Sequence, residues 1–294
     1  MTELRLAVSN IAWPAEEESA VADELSALGV DSVEIAPTKV FDDPTKVSDA
    51  ELASYLDFWR HRDIKVVAFQ SMLFGRPELA LFGDAEVRRA TLSRLTSFID
   101  LAGRMGAGVL VFGSPRNRNL PEGASEADVW SEAVDAFGEL GEAALAAGTR
   151  FCIEPNPTAY ACDFVTNAAT GARLVRDVGH EGFGLHLDVA GMTLAGDVPA
   201  DEIAAAADVL RHYHVSAPQL EELEDNVVDH RSAFAALAQI RYPGFSSIER
   251  RPGQAGEAAQ RVRRAVTLAR GRASDAGWAV SAAGVGRARN AGAS

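Results

Sequence analysis

The sequence predicts an α/β protein, a single (β/α)₈ barrel, and three observations lead to this prediction. Short apolar runs alternate along the chain with segments in which Leu, Ala and Val recur at helical spacing. Eight such pairs fill the first 270 residues, a length typical of one barrel. Strict alternation with right-handed crossovers favours a parallel sheet, and eight units favour closure.

The first four units each combine an apolar run with a longer amphipathic segment. Their predicted strands span residues 4–9, 32–36, 64–69 and 108–112, and the helices that follow span residues 16–28, 49–61, 85–105 and 124–147. The rival fold is an open Rossmann-like sheet, which should show a Gly-x-Gly-x-x-Gly turn after an early strand. No such turn follows residues 4–9.

The second half of the chain repeats the pattern. Its predicted strands span residues 150–153, 182–187, 209–215 and 245–248, and its helices span residues 167–178, 200–207, 231–240 and 256–269. We therefore expect one barrel domain over residues 1–270. Residues 271–294 are rich in Ala, Gly and Ser and predict a mobile tail, in which Trp278 is the one side chain suited to docking.

Composition and charge limit the classes of function. Hydrophobic residues make up 47% of the chain and charged residues 24%, the balance of a globular protein rather than a disordered one. The formal net charge of -14 argues against duplex nucleic acid as a partner. No run of 18 apolar residues predicts a membrane span, and the first residues do not form a signal peptide. We expect a cytoplasmic protein without a membrane or nucleic-acid partner.

Four residues that commonly bind metals end the last four predicted strands. Glu154, Asp188, His214 and Glu249 are separated by 34, 26 and 35 residues, each close to one β-α unit. Because the carboxyl ends of barrel strands converge on one pocket, these side chains can meet. Two Glu, one Asp and one imidazole suit one hard divalent cation, Mn²⁺ first, with Mg²⁺, Co²⁺ or Zn²⁺ as alternatives.

Each of these residues also has an ordinary structural interpretation. A single carboxylate at a strand end is commonly a helix cap or an ion-pair partner. The set of four shifts the balance, because Glu154 and Asp188 directly follow apolar strand interiors. A carboxylate in such a place is costly unless it is paired or metal-bound.

At these strand ends the sequence resembles the xylose-isomerase-like TIM barrels that include sugar phosphate isomerases and epimerases. The resemblance covers about residues 4–270 and extends to segments 9–13 (SNIAW), 34–39 (EIAPTK) and 246–249 (SSIE). It implies that the four strand-end residues bind the metal, which stabilises an enediolate. It further implies that Glu154 and Glu249 are the catalytic pair that removes and returns a proton next to a carbonyl.

The sequence departs from the ketose 3-epimerases of this family at three positions. Those enzymes carry a His, a Glu and an Arg where this chain has Gly191, Tyr160 and Leu220. The substrate must therefore be held differently from a free ketohexose. His186, two residues before Asp188 on the same strand face, is a candidate replacement for the missing imidazole. It is equally suited to be a hydrogen-bonded core residue.

Five further candidates for substrate binding lie just beyond strand ends, where they suit hydroxyl, carboxylate or phosphate oxygens. They are Lys39, Gln70, Arg116, Asn156 and Arg250. Each alone is more commonly a loop or ion-pair residue. The loop over residues 70–83, which has several apolar side chains, is interpreted as a lid or as a contact in a homo-oligomer.

The leading functional prediction is an enzyme, a metal-dependent isomerase or epimerase of a small sugar, sugar phosphate or related keto-polyol. A dehydratase is the alternative within enzymes, because the same enediolate can expel a neighbouring hydroxyl. A non-catalytic carbohydrate-binding barrel ranks third. An AP-endonuclease-like nuclease needs more His ligands and a basic groove, and this acidic chain has six His.

Overall fold

A closed parallel barrel forms the centre of the molecule, in a computed structural model that describes residues 3–223 and 227–280. Within these residues β1 pairs with both β2 and β8, so the sheet has no open edge. The strands are β1 Leu6–Ser9, β2 Ser32–Ile35, β3 Lys65–Phe69, β4 Val109–Phe112, β5 Phe151–Ile153, β6 Phe183–Asp188, β7 Leu210–Val215 and β8 Ser246–Ile248. The predicted fold class is confirmed.

Helices surround the barrel, and every helix expected from the sequence is present. They are α1 Glu18–Ala27, α2 Pro37–Val40, α3 Asp49–Arg60, α4 Ala85–Met105, α5 Glu126–Ala146, α6 Ala168–Val178, α7 Val189–Ala195, α8 Pro199–Ala205, α9 His230–Gln239 and α10 Ala258–Asp275. The sequence did not predict α2 and α7. Each has only one or two turns, which is too short for an apolar periodicity to be recognised.

Local sequence explains where several of these helices begin. The α5 helix starts after Ser125, whose hydroxyl accepts from the Asp128 N–H while the Asp128 carboxylate accepts from Ser125. This capping box places the helix start two residues after the predicted one. Asp188 caps α7 in a related way, so the last residue of β6 also begins the next helix.

The predicted boundary at residue 270 falls inside α10. That helix continues to Asp275 with Ala269 and Ala273 fully buried. Trp278 is buried as well, and its indole N–H donates to the carbonyl of Phe234 at 2.8 Å. The Ala-rich composition after residue 270 suggested a mobile tail, but the small Ala side chains form the packed face of a helix instead. Residues 271–280 belong to the barrel, and residues 281–294 lie outside the described part of the chain.

No helix within the described residues has both the length and the apolar composition needed to cross a membrane.

Candidate metal centre at the carboxyl end of the barrel

Asp188, His214 and Glu249 converge at the carboxyl ends of three adjacent strands. Asp188 and His214 are register partners on β6 and β7, and Glu249 directly follows β8, where its N–H donates to the Val215 carbonyl at 3.0 Å. One potential ligand atom from each lies within 4.8 Å of the other two. Strand register alone therefore assembles a carboxylate, an imidazole and a second carboxylate.

Hydrogen bonds orient the Asp188 carboxylate. Its Oδ1 accepts from the Gly191 N–H at 2.5 Å, and its Oδ2 accepts from the Ser216 hydroxyl. Burial raises the pKa of Asp188 to about 6, with a further rise from Glu249. A buried carboxylate close to another carboxylate gains most from a cation between them.

His214 is held between two carboxylates. Its Nδ1 lies 3.3 Å from Glu249 Oε2, and its Nε2 lies 3.0 and 3.1 Å from the two oxygens of Glu34. Burial alone would lower the pKa of His214, but Glu34 and Glu249 raise it well above its usual value. A carboxylate behind an imidazole is the arrangement that orients a metal-binding histidine.

Glu34 is the main site residue that the sequence analysis missed. It lies on β2, is completely buried, and also faces His212 Nε2 at 3.5 Å. Burial alone would raise the pKa of Glu34, yet His214 and His212 hold it well below its usual value. A signal existed, since a carboxylate between Val33 and Ile35 in an apolar strand requires a buried partner.

Glu154 lies beside this group without joining it. Its N–H donates to the Phe112 carbonyl at 3.1 Å, and its Oε2 packs against Gly113, where an added methyl group would overlap it. Burial raises the pKa of Glu154 to about 8, with further contributions from Glu249 and Asp188. Of the four predicted ligands, the structure brings three within one ligand sphere and places the fourth next to them.

Arg118 holds the strand end that carries Glu154, a role that sequence analysis did not foresee. The guanidinium is completely buried and donates to the Glu154 carbonyl at 2.7 Å, the Phe164 carbonyl at 3.2 Å and the Gly113 carbonyl. The prediction selected Arg116 from the same loop, but Arg116 is exposed. Both arginines follow β4 two residues apart, and only the turn between them decides which one points inward.

Three of the other predicted substrate-binding residues lie at the rim, the end of the barrel where the strands have their carboxyl ends. Some of their polar groups form hydrogen bonds within the protein. The Gln70 amide donates to Ser9 Oγ at 2.6 Å, and the Asn156 amide donates to the Glu154 carbonyl at 3.4 Å. Lys39 donates to the backbone carbonyls of Asn10 and Trp13. Burial lowers the pKa of Lys39 to about 8 against the opposing effect of nearby carboxylates.

Arg250 is directed away from the metal-type ligands. Its guanidinium is fully buried, pairs with Glu222 Oε2 at 2.8 Å and donates to the Arg261 carbonyl of α10 at 3.4 Å. These contacts join the loop after β7 to α10. The structure thus gives Arg250 a place in an ion-pair network rather than at the ligand cluster.

His186 lies below the rim, on β6. It is fully buried, and its ring centroid lies 4.1 Å from that of His214 in an edge-to-face arrangement. Neither ring nitrogen of His186 has a hydrogen-bond partner among the described residues. Burial holds the pKa of His186 well below its usual value, with a further lowering from His214. This differs from the expected hydrogen-bonded core histidine, because no described residue hydrogen-bonds to the ring.

Tyr160 occupies the position where related ketose 3-epimerases carry Glu. It ends a 3₁₀ turn after β5, is only partly buried, and its hydroxyl accepts from the Gln219 N–H at 3.2 Å. Burial raises the pKa of Tyr160, and Asp188, Glu249 and Glu154 raise it further. The phenol is therefore close enough to the three carboxylates to sense their charge.

The donor set fits a divalent cation. His214 Nδ1 is buried, has no hydrogen-bond partner within residues 3–223 and 227–280, and faces the Glu249 carboxylate, while Asp188 supplies a second oxygen donor. Oxygen-rich sets with one imidazole suit Mn²⁺, Mg²⁺ and Co²⁺. Glu154 lies beside this set, and Asp188 and Glu249 add to the rise of its pKa.

Among curated proteins, the chain is similar to an L-ribulose 3-epimerase of Mesorhizobium japonicum, with 28% identity over 150 residues. That match spans 51% of this chain and 49% of the relative, so about half of the relative's length is matched.

Solved structures share the fold at low identity. A D-psicose 3-epimerase determined in the presence of D-fructose has a TM-score of 0.78 at 18% identity, covering 92% of this chain and 99% of the other. An L-ribulose 3-epimerase has a TM-score of 0.77 at 20% identity, covering 93% and 95%. The profile of the family described as xylose isomerase-like TIM barrel matches residues 22–267. The chain belongs to this family of xylose isomerase-like TIM barrels.

Proposed function

We propose that the protein is a divalent-metal-dependent isomerase or epimerase of a small sugar, sugar phosphate or related keto-polyol. The observation that carries the proposal is the convergence of Asp188, His214 and Glu249 within one ligand sphere, with Glu154 beside it. The named activities of the L-ribulose and D-psicose 3-epimerases that share this fold support the same class of substrate.

Proton transfer next to a carbonyl is the reaction for which these residues are suited. A bound cation would polarise the substrate carbonyl and stabilise negative charge on the enediolate oxygen. Glu154 and Glu249 extend from strands on opposite sides of β6 and β7, so they can approach a substrate carbon from two directions. One carboxylate removes the proton and the other returns it.

A dehydratase is the second candidate, and Tyr160 is the observation that favours it. Its hydroxyl accepts from Gln219, which leaves the phenolic proton available for donation beside the carboxylates. A donor in that place suits protonation of a leaving hydroxyl on the enediolate.

Product analysis separates these reactions. The full chain, reconstituted with Mn²⁺, is incubated with L-ribulose, D-psicose, D-fructose and their phosphates, and products are identified by chromatography and mass spectrometry. The expected products have the same mass as the substrate. Either the carbon next to the carbonyl has the inverted configuration, or the carbonyl group has moved to the neighbouring carbon. Loss of one water establishes the dehydratase. Binding without conversion of any compound, unaffected by Glu154→Gln, supports a non-catalytic carbohydrate-binding barrel and contradicts the proposal.

A further inference from the structure

A second cluster of metal-type ligands lies inside the barrel, beneath the rim. His186, His212 and His214 each offer a ring nitrogen, and these three atoms lie within 4.8 Å of one another. All three rings are buried, with centroids separated by 4.1 Å and 5.4 Å. Their positions follow from register, because His186 pairs with His212 on the neighbouring strand and His214 lies on the same strand face as His212.

A carboxylate completes the cluster. Glu34 reaches it from β2 on the far side of the barrel, with an oxygen 3.0 Å from His214 Nε2 and 3.5 Å from His212 Nε2. Glu34 makes no ion pair with Lys or Arg in the described chain, and its partners are these two imidazoles. The barrel interior therefore contains three imidazoles whose ring nitrogens lie close together, and a carboxylate that contacts two of them.

His186 supplies an independent indication that a ligand belongs here. Both of its ring nitrogens are fully buried, and no residue in the described part of the chain hydrogen-bonds to them. A buried polar group left in this state costs free energy that a partner would recover. Leu185 and Leu187 flank it along β6, and an apolar side chain at position 186 would avoid that cost.

We propose that His186, His212, His214 Nε2 and Glu34 form a second, inner cation site. It shares His214 with the rim site, which consists of Asp188, His214 and Glu249, and differs from it in chemistry. Its nitrogen-rich donor set suits Zn²⁺, Co²⁺ or Cu²⁺, whereas the oxygen-rich rim suits Mn²⁺ or Mg²⁺. His214 serves the inner site through Nε2 and the rim through Nδ1. With both sites filled, neither ring nitrogen of His214 could keep a proton, so the ring would be an imidazolate and the protons displaced from Nδ1 and Nε2 would pass to solvent.

The first test removes the rim ligands and keeps the inner ones. The full chain carrying Asp188→Asn and Glu249→Gln is stripped of metal, incubated with Zn²⁺ or Co²⁺, separated from free ion and measured by elemental mass spectrometry. About one ion per chain is expected to remain, and about two in the unaltered protein under the same conditions. A rim-disabled chain that is folded and retains no ion overturns the proposal.

The second test removes His186 in the same background. His186→Phe is expected to abolish the remaining ion, while His61→Gln, which changes an exposed histidine, leaves it in place. Circular dichroism and thermal unfolding verify that each variant is folded. Retention of the ion in a folded His186→Phe chain also overturns the proposal. If His186→Phe does not fold, the first test alone decides whether the inner site exists.

Cobalt absorption identifies where the ion is. Four-coordinate Co²⁺ with three nitrogen ligands absorbs visible light far more strongly than six-coordinate Co²⁺ with oxygen ligands. Strong bands are expected in the rim-disabled chain and only weak bands in His186→Phe with an intact rim. The two results are independent of turnover, so failure of the inner site and failure of the proposed enzymatic activity can be told apart.

Discussion

At the scale of single residues, the charges of the rim carboxylates determine how the rim binds a cation. Asp188, Glu154 and Glu249 share a small volume, and burial raises the pKa of Asp188 to about 6 and that of Glu154 to about 8. Repulsion between the carboxylates adds to the effect of burial in both cases. A cation relieves both costs at once, which is why the metal and the carboxylates are expected to depend on each other.

Metal affinity should therefore depend on pH. Without metal, the raised pKa values keep a proton on Glu154 up to about pH 8 and on Asp188 up to about pH 6, and a cation must displace these protons to bind. The apparent affinity for Mn²⁺ is expected to increase as pH rises through the window between about 6 and about 8. Titration calorimetry across this window, in buffers of different ionisation enthalpy, measures both affinity and proton release. Equal affinity at both ends of the window contradicts this interpretation.

At the scale of elements, the ends of β4 and β5 position Glu154. Gly113 leaves room for Glu154 Oε2, and Arg118 ties the carbonyls after both strands together. Neither residue provides a ligand atom to the cluster. Their effect on chemistry passes through the placement of one carboxylate.

Replacing Gly113 should change activity more than stability. The added methyl group in Gly113→Ala displaces the Glu154 carboxylate, and a shift of about 1 Å at a catalytic group commonly costs about 100-fold in rate. Turnover and Mn²⁺ affinity are measured beside the free energy of unfolding. Gly138→Ala is the matched control, since open space surrounds that helical glycine, and it should raise stability by about 0.5 kcal/mol. Unchanged turnover in Gly113→Ala would show that Glu154 has no catalytic role.

Replacing Arg118 should lower both the activity and the stability of the protein. Arg118→Met leaves several buried carbonyl groups without donors, so a loss of about 3 kcal/mol in the free energy of unfolding is expected. Chemical denaturation measures it. Arg116→Met, two residues earlier and exposed, should alter stability by no more than about 0.5 kcal/mol. Equal losses in the two variants would mean that burial of Arg118 contributes nothing specific, and turnover of Arg116→Met tests its predicted contact with substrate.

At the scale of the whole molecule, the residues that follow α10 pack against the segment before β1 and against α9. Leu4 donates its N–H to the Ala279 carbonyl at 3.0 Å, and Trp278 docks on Phe234. Residues 271–280 thus hold the first strand and α9 in place.

Truncation tests this boundary. A chain ending at Arg270 loses the buried Ala273 and Trp278 side chains, and a destabilisation of about 3 to 5 kcal/mol is expected. A chain ending at Val280 keeps every contact described above and should unfold at the same temperature as the full chain. Thermal unfolding of both, compared with the full chain, checks the result. If the chain ending at Arg270 were as stable as the full chain, the prediction that the tail begins at residue 271 would be correct.

Sequence patterns predicted the barrel because its signals are periodic and repeated. Strand ends spaced by one β-α unit also predicted that Asp188, His214 and Glu249 would meet. Patterns could not distinguish Arg118 from Arg116, since a short 3₁₀ turn decides which side chain is buried. They also missed Glu34, because its partners lie on β7, across the barrel and 178 to 180 residues away in the sequence.

The central claim is that the rim transfers a proton at a carbon beside a carbonyl, and solvent isotope exchange measures this most directly. The Mn²⁺-loaded protein is incubated with L-ribulose or D-psicose in D₂O, and deuterium at that carbon is followed by NMR and mass spectrometry. The account predicts steady deuterium uptake that falls by about 100-fold or more in Glu154→Gln and in Glu249→Gln. Bound substrate without deuterium uptake in the unaltered protein, or uptake in either variant equal to that of the unaltered protein, would contradict it.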